Sequence, residues 1–224
     1  MTHRALRVCA ALAIVLESCA AWAEQAAPGV VVNSATPADQ IRQCLADLTT
    51  GDVDYQTLGS VTKEGCAVDG AIELDAIASP FGKIAFPGKP TLGCIFARQF
   101  TTFVRNAAAP LTLAYLGAKL TAIETGPGLV CRTRYNKPGE KISEHAKGDA
   151  IDVTAFRLEN GRMLTVKDAS SSKEVDGVWI KTLRATGCGY FTTILGPGSN
   201  DAHKEHLHFD YEMRGGGYNY RICE

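Results

Sequence analysis

The sequence predicts an α+β fold, with a small antiparallel sheet flanked by helices and stapled by disulfides. Three observations predict it. Two segments carry apolar residues at helical spacing behind clear start signals, several later segments alternate or cluster like strands, and six cysteines remain once the leading segment is set aside.

The chain opens with Arg4 and Arg7, an apolar run from Val8 to Leu16 and the small-residue triplet Ala21-Trp22-Ala23. This is the pattern of a secretory signal peptide over residues 1–23, cleaved after Ala23. The apolar run is well short of the roughly 20 residues a spanning helix needs, and no later segment reads as a transmembrane span. Leu16-Glu17-Ser18-Cys19 offers a rival lipoprotein site at Cys19, but the charged Glu17 fits poorly and the Ala21/Ala23 pair fits signal peptidase better. The expected location is the periplasm, or otherwise outside the cytoplasm.

Removal of the signal lowers Lys+Arg from 23 to 21 and Asp+Glu from 24 to 23, for a mature net charge near −2. That balance argues against a nucleic-acid partner, which would show a basic stripe. About 200 residues remain, enough for one domain with a real core, and a monomer is expected. Cys44, Cys66, Cys94, Cys131, Cys188 and Cys223 remain as well. In an exported chain without a Cys-x2-Cys pair they read as disulfides. Sequential pairing is expected: Cys44–Cys66, Cys94–Cys131 and Cys188–Cys223.

Residues 24–35 are expected to be a polar, mobile lead into the single domain at 36–224. Thr36-Pro37-Ala38-Asp39 supplies an N-cap with proline at the first helical position, and the helix should run to about Leu48, burying Ile41, Leu45 and Leu48. A connection containing Gly and Asp follows. Thr91 should cap a second helix through Arg105, with Ile95, Phe96, Phe100 and Phe103 on its apolar side. Lys119 to Glu124 and Asp149 to Phe156 read as strands, Asn160-Gly161 as a hairpin turn, and Val178 to Arg184 as a further helix. There is no internal repeat.

The chemistry is concentrated in two short segments that hold all four histidines of the mature chain. They are Ser143-Glu144-His145-Ala146-Lys147-Gly148-Asp149-Ala150-Ile151-Asp152 and His203-Lys204-Glu205-His206-Leu207-His208-Phe209-Asp210. Neutral imidazole and carboxylate suit a borderline cation such as Zn²⁺, and three protein ligands leave a fourth position for water. Residues two apart on a strand share a face, so His206, His208 and Asp210 should face one way and Leu207 and Phe209 the other, into the core. Likewise Ala150 and Asp152 should look toward the site while Ile151 and Val153 pack inward, with Gly148 turning the chain between His145 and the strand.

The His-x6-Asp of His145 and Asp152, followed by His206-x-His208, resembles the fold group of lysostaphin-type enzymes, D-alanyl-D-alanine peptidases and Hedgehog domains. Cys94, Cys131-Arg132, Ser143-x-His145, Phe191-x-Thr193-x-Leu195-Gly196-Pro197, Ala202-His203 and Arg221-x-Cys223 resemble the bacterial extensin-like C-terminal domain family, over most of the mature chain. The wider resemblance implies that His145, Asp152 and His208 bind Zn²⁺ and that the substrate is a peptidoglycan stem peptide. It offers two bases, His206 as in the endopeptidases of the group and Glu205 as in its D-alanyl-D-alanine peptidases. Strand parity favours His206, because Glu205 would point away from the metal face. His203 resembles part of the histidine cluster of penicillin-insensitive murein endopeptidases. Arg132 is placed to hold a substrate carboxylate or a developing oxyanion, with Arg134 as the alternative, and Ser143 to order the loop. The leading expectation is a zinc-dependent cell-wall peptidase, endopeptidase or carboxypeptidase. A non-catalytic metal-containing wall-binding module and a metal-free disulfide-stapled protein are the alternatives.

Overall fold

The structure is a computed structural model that describes residues 36–214 and 220–224. The expected signal peptide, the Cys19 site and residues 24–35 lie outside the described residues. Thr36 caps helix α1 (Pro37–Thr50) through a reciprocal box with Asp39, which satisfies two otherwise orphan backbone donors. The helix buries Cys44 and Leu48 and packs Leu45 at the edge of the core.

The segment expected as a connection is instead a long hairpin, β1 (Val53–Lys63) and β2 (Cys66–Ser79), turned at Glu64-Gly65. Its first strand has mostly half-buried or exposed residues, which blurs the period-2 pattern that marks a strand. Strands β3 (Gly82–Ala85) and β4 (Thr91–Gly93) follow. Thr91 therefore lies in a strand and does not cap helix α2 (Cys94–Phe103), whose N-cap is Gly93. Phe96, Phe100 and Phe103 are buried as expected, whereas Ile95 is exposed. The helical path runs past the expected end at Arg105, through a π turn at Val104–Ala108 into α3 (Ala109–Leu116). Pro110 lacks the N–H a regular helix would need, and the wider turn before it absorbs that defect.

Strand β5 (Leu120–Thr125) leads to the site loop, then β6 (Ala150–Leu158) and β7 (Met163–Thr165) form the hairpin turned at Asn160-Gly161. Helices α4 (Val166–Ser171) and α5 (Val175–Gly187) precede β8 (Thr193–Leu195), β9 (Leu207–Asp210) and β10 (Ile222–Cys223). The class is α+β, and the sheet is larger than expected. Among the described residues it orders ten strands as β1-β2-β3-β5-β6-β9-β8-β10, with β4 on β2 and β7 on β6. Most pairs are antiparallel, but β3/β5 and β8/β10 are parallel.

The core lies between the sheet and helices α2, α3 and α5. Phe191 and Phe209 pack with their ring planes tilted and their centroids 5.0 Å apart, with Phe103 5.3 and 5.5 Å from them, and Trp179 meets Phe156 edge-on. Each such buried ring stabilises the fold by about 2–3 kcal/mol through area removed from water. The pairing of β6 with β9 sets Ile151 opposite Phe209 and Val153 opposite Leu207, all in the core. The alternate pairs, Asp152 with His208 and Ala150 with Asp210, face the other way.

The disulfides correct the expected pairing. Cys188–Cys223 forms as expected, but the other four cysteines pair as Cys44–Cys94 and Cys66–Cys131. Helix α1 packs on α2, which brings Cys44 to Cys94, while the tip of the β1–β2 hairpin reaches the loop after β5 and brings Cys66 to Cys131. Sequence proximity loses to tertiary packing. No helix among the described residues is long and apolar enough to cross a membrane.

Cys44 and Cys94 are buried, so replacing both by alanine removes a cross-link and opens a small void. The double variant is expected to lose roughly 2–5 kcal/mol of unfolding free energy in guanidinium titration. A loss below about 1 kcal/mol would show that the α1–α2 contact holds without its bond.

Candidate metal centre

His145 sits in a tight turn, Glu144–Lys147, that ends at Gly148 with φ 73°. A Cβ at Gly148 would lie 2.7 Å from the Gly93 backbone nitrogen, so this position needs glycine for both conformation and space. The turn delivers the chain into β6, and Asp152 follows on the face opposite the core. His208 arrives from β9, directly across from Asp152.

Hydrogen bonds to the far nitrogens aim both imidazoles. His145 Nδ1 donates to the Gly128 carbonyl at 2.8 Å, since a carbonyl only accepts, and this turns Nε2 toward the site. His208 Nε2 donates to Asp210 Oδ2 at 3.1 Å, leaving Nδ1 for the site. Asp152 Oδ1 lies 2.9 Å from His208 Nδ1 and 3.3 Å from His145 Nε2, and the two nitrogens are 3.2 Å apart. Three electron-pair donors at such spacing repel unless positive charge lies among them. Donor bonds of roughly 2.0–2.1 Å in tetrahedral geometry would set the ligand atoms about 3.3 Å apart. The arrangement and chemistry of His145, Asp152 and His208 therefore fit a small divalent cation.

A proton can play the same part. Burial lowers the His208 pKa, but hydrogen bonds and charges from Asp152 and Asp210 more than offset it and push the ring up to about 9. Burial raises Asp152, yet the hydrogen bonds from His145 and His208 hold it well below the usual carboxylate range. The proton on His208 Nδ1 thus lies where a cation would lie.

A cleft of about 420 Å³ opens beside the triad. His206, just before β9, enters it with Nε2 3.5 Å from Asp152 Oδ1, and burial pushes its pKa down. His203 also lines it, donating from Nδ1 to Asn200 Oδ1 at 2.7 Å. Burial and the positive charge of His208 bring His203 down to about 4. Both rings are neutral near pH 7. Arg132 lines the cleft, with its guanidinium 3.5 Å from the Thr133 carbonyl and no ion pair among the described residues. Arg134 is committed elsewhere, to Glu212 at 2.6 Å and Glu144 at 3.7 Å. Ser143 is buried on the cleft wall and donates its N–H to the Arg132 carbonyl at 3.1 Å, which orders the loop. Glu205 does not join the group. It is exposed and bound to Lys167 at 2.6 Å, because its parity on the strand approach turns it outward.

The family model described as extensin-like protein C-terminus matches residues 42–224, which include every residue of this site. The chain belongs to the extensin-like C-terminus family. No curated protein and no solved structure gives a significant match.

The extensin-like domain also uses groups that sequence reasoning did not single out. Asp210 was placed on the site face but not as the partner of His208, although its spacing two residues on was the available signal. The Gly128 carbonyl left no signal, since every residue carries one. Burial of Glu144 and Glu212 beside Arg134 depends on contacts between distant segments.

The electrostatics of the extensin-like domain carry a pH signature. A histidine raised above its ordinary 6.5 contributes stability that is complete below that value and lost as pH rises through about 9. The cation-free protein is expected to lose thermal stability over this interval, and one equivalent of divalent cation, taking the proton's place, to abolish that loss. Melting curves between about pH 6 and pH 10, with chelator and with Zn²⁺, check this. Parallel curves would overturn the assignment of His208.

Proposed function

We propose that this protein is an exported zinc-dependent peptidase that hydrolyses an amide bond in peptidoglycan stem peptides. The observation that carries the reading is the convergence of His145 Nε2, Asp152 Oδ1 and His208 Nδ1 at the wall of an open cleft. Zn²⁺ held by these atoms would supply polarisation of a scissile carbonyl and acidification of a water molecule. The spacing of the ligands, similar in pattern to lysostaphin-type and D-alanyl-D-alanine peptidases, supports the substrate class. Three disulfides and the expected signal peptide ending at Ala23 support an oxidising, periplasmic location.

The side chains around the triad have the properties that amide hydrolysis needs. His206 is neutral near pH 7, lines the cleft and lies beside Asp152, so it can take a proton from the attacking water and return it to the leaving amine. Arg132 brings a fixed positive charge, free of an ion-pair partner among the described residues, to meet a developing oxyanion or a substrate carboxylate. His203, kept neutral and oriented by Asn200, offers Nε2 as a hydrogen-bond partner on the same wall. Glu205 is a poorer base than His206, because Lys167 occupies its carboxylate and holds its pKa low.

The test combines elemental analysis of the mature, oxidised protein with chromatography of products released from purified peptidoglycan. The wild-type protein is expected to bind one equivalent of zinc and release new muropeptides, and His208→Ala to lose both. His206→Ala is expected to keep its zinc while losing about 10²–10⁴-fold in rate. Zinc without products would replace the peptidase with a non-catalytic binding module, and a protein without zinc would end both readings.

A further inference from the structure

Residues 132–142 form a loop along the cleft, closed by the Thr133–Ile142 bridge, by Arg134 N–H donating to the Lys141 carbonyl at 2.9 Å and by Thr133 Oγ1 donating to the Lys137 carbonyl at 2.8 Å. At its crest Tyr135 and Asn136 both have left-handed backbones, φ 55° and 56°. Asparagine tolerates that region, but a tyrosine there is strained, and glycine would relieve both. The two strained residues line the same cleft as His145, Asp152 and His208, and Tyr135 is 52% exposed.

Arg134 explains how the crest is held. Its guanidinium reaches Glu212 and Glu144, whose side chains are only 11% and 4% exposed. Glu144 adjoins His145 in the chain, and Glu212 lies two residues beyond Asp210, which orients His208. One cation therefore ties the crest to both histidine-bearing segments. Strain fixed in place at the rim of a site signals a demand on the side chains that bear it.

The charge around the crest narrows what those side chains meet. The Lys137 ammonium lies 5.9 Å from the Tyr135 ring centroid, and Arg132 stands free of an ion pair among the described residues on the same wall. Asp152 is the carboxylate of that wall, and it is already bound to His208.

We propose that Tyr135 and Asn136 form a specificity lip for an acidic peptide. The Asn136 carboxamide pairs with a main-chain amide of the substrate, Tyr135 covers the adjoining side chain, and Arg134 is the positioning residue that sets the lip against the histidines. This rests on the peptidase reading of the site.

The experiment compares wild-type protein with Tyr135→Gly/Asn136→Gly, using acidic muropeptides and their amidated counterparts. Glycine removes the lip side chains and the strain together, so the variant is expected to melt no lower than wild type while KM rises at least about tenfold, with a smaller change in kcat. Arg134→Gln should show the same rise in KM, with one equivalent of zinc retained and partial rescue in Arg134→Lys. It removes one of the two cations on each buried carboxylate and leaves Lys147 on Glu144 and Arg214 on Glu212, so the glycine variant decides if it fails to fold. Unchanged KM in the glycine variant, a fall confined to kcat, or equal preference for amidated peptides would overturn the proposal. If wild-type protein binds zinc but cleaves nothing, the peptidase reading fails and calorimetric affinity for the same peptides decides the lip. Equal affinities in wild type and variant, or none in wild type, would then overturn it.

Discussion

The register between β6 and β9 is the constraint on which the rest of this molecule depends. Because successive side chains on a strand alternate in direction, one pairing places Ile151, Val153, Leu207 and Phe209 in the core and Asp152, His208 and Asp210 on the site face. A slip by one residue would drive charged groups into the aromatic cluster and expose the apolar ones. The hydrophobic cost of that exchange, several buried side chains at about 2 kcal/mol each, makes the core the guardian of the site's geometry. Function and folding here read the same alternation from opposite sides.

Around that frame, the site is finished by groups that have no chemistry of their own to offer. The Gly128 carbonyl and the Asp210 carboxylate each accept a hydrogen bond from the far nitrogen of an imidazole, which aims the near nitrogens at Asp152. Such orientation costs little once the strands are paired, and it removes the tautomeric freedom an isolated histidine would have. The buried acids Glu144 and Glu212, bridged by Arg134 and further balanced by Lys147 and Arg214, hold the neighbouring backbone without competing for the cleft. The division is between residues that face the cleft and residues that keep them facing it.

Much of the site was legible in the sequence, and the reason is physical. Histidine is scarce elsewhere in the chain, and strand parity sorts His206, His208 and Asp152 from Leu207, Phe209 and Val153 without any knowledge of the fold. The capped helix at Thr36 and the Asn160-Gly161 turn were legible because their signals are local. What could not be read depends on distant contacts: the β1–β2 hairpin with its half-wet strand, the partners of Arg134 and the two interleaved disulfides. The outward turn of Glu205 lies between these cases, since parity indicated it but only Lys167 fixes it.

The interleaving of Cys44–Cys94 with Cys66–Cys131 has a consequence for how the molecule is made. On the export route proposed above, the chain would cross a membrane from its N-terminus and present Cys44 and Cys66 to the oxidant together, before Cys94 has emerged. The first bond favoured by proximity is therefore a non-native one. Reaching the final pairing requires thiolate attack and exchange, a process of seconds to hours that isomerases accelerate. On that route maturation would be coupled to the disulfide-reshuffling capacity of the compartment, and the yield would follow that capacity more closely than the rate of oxidation.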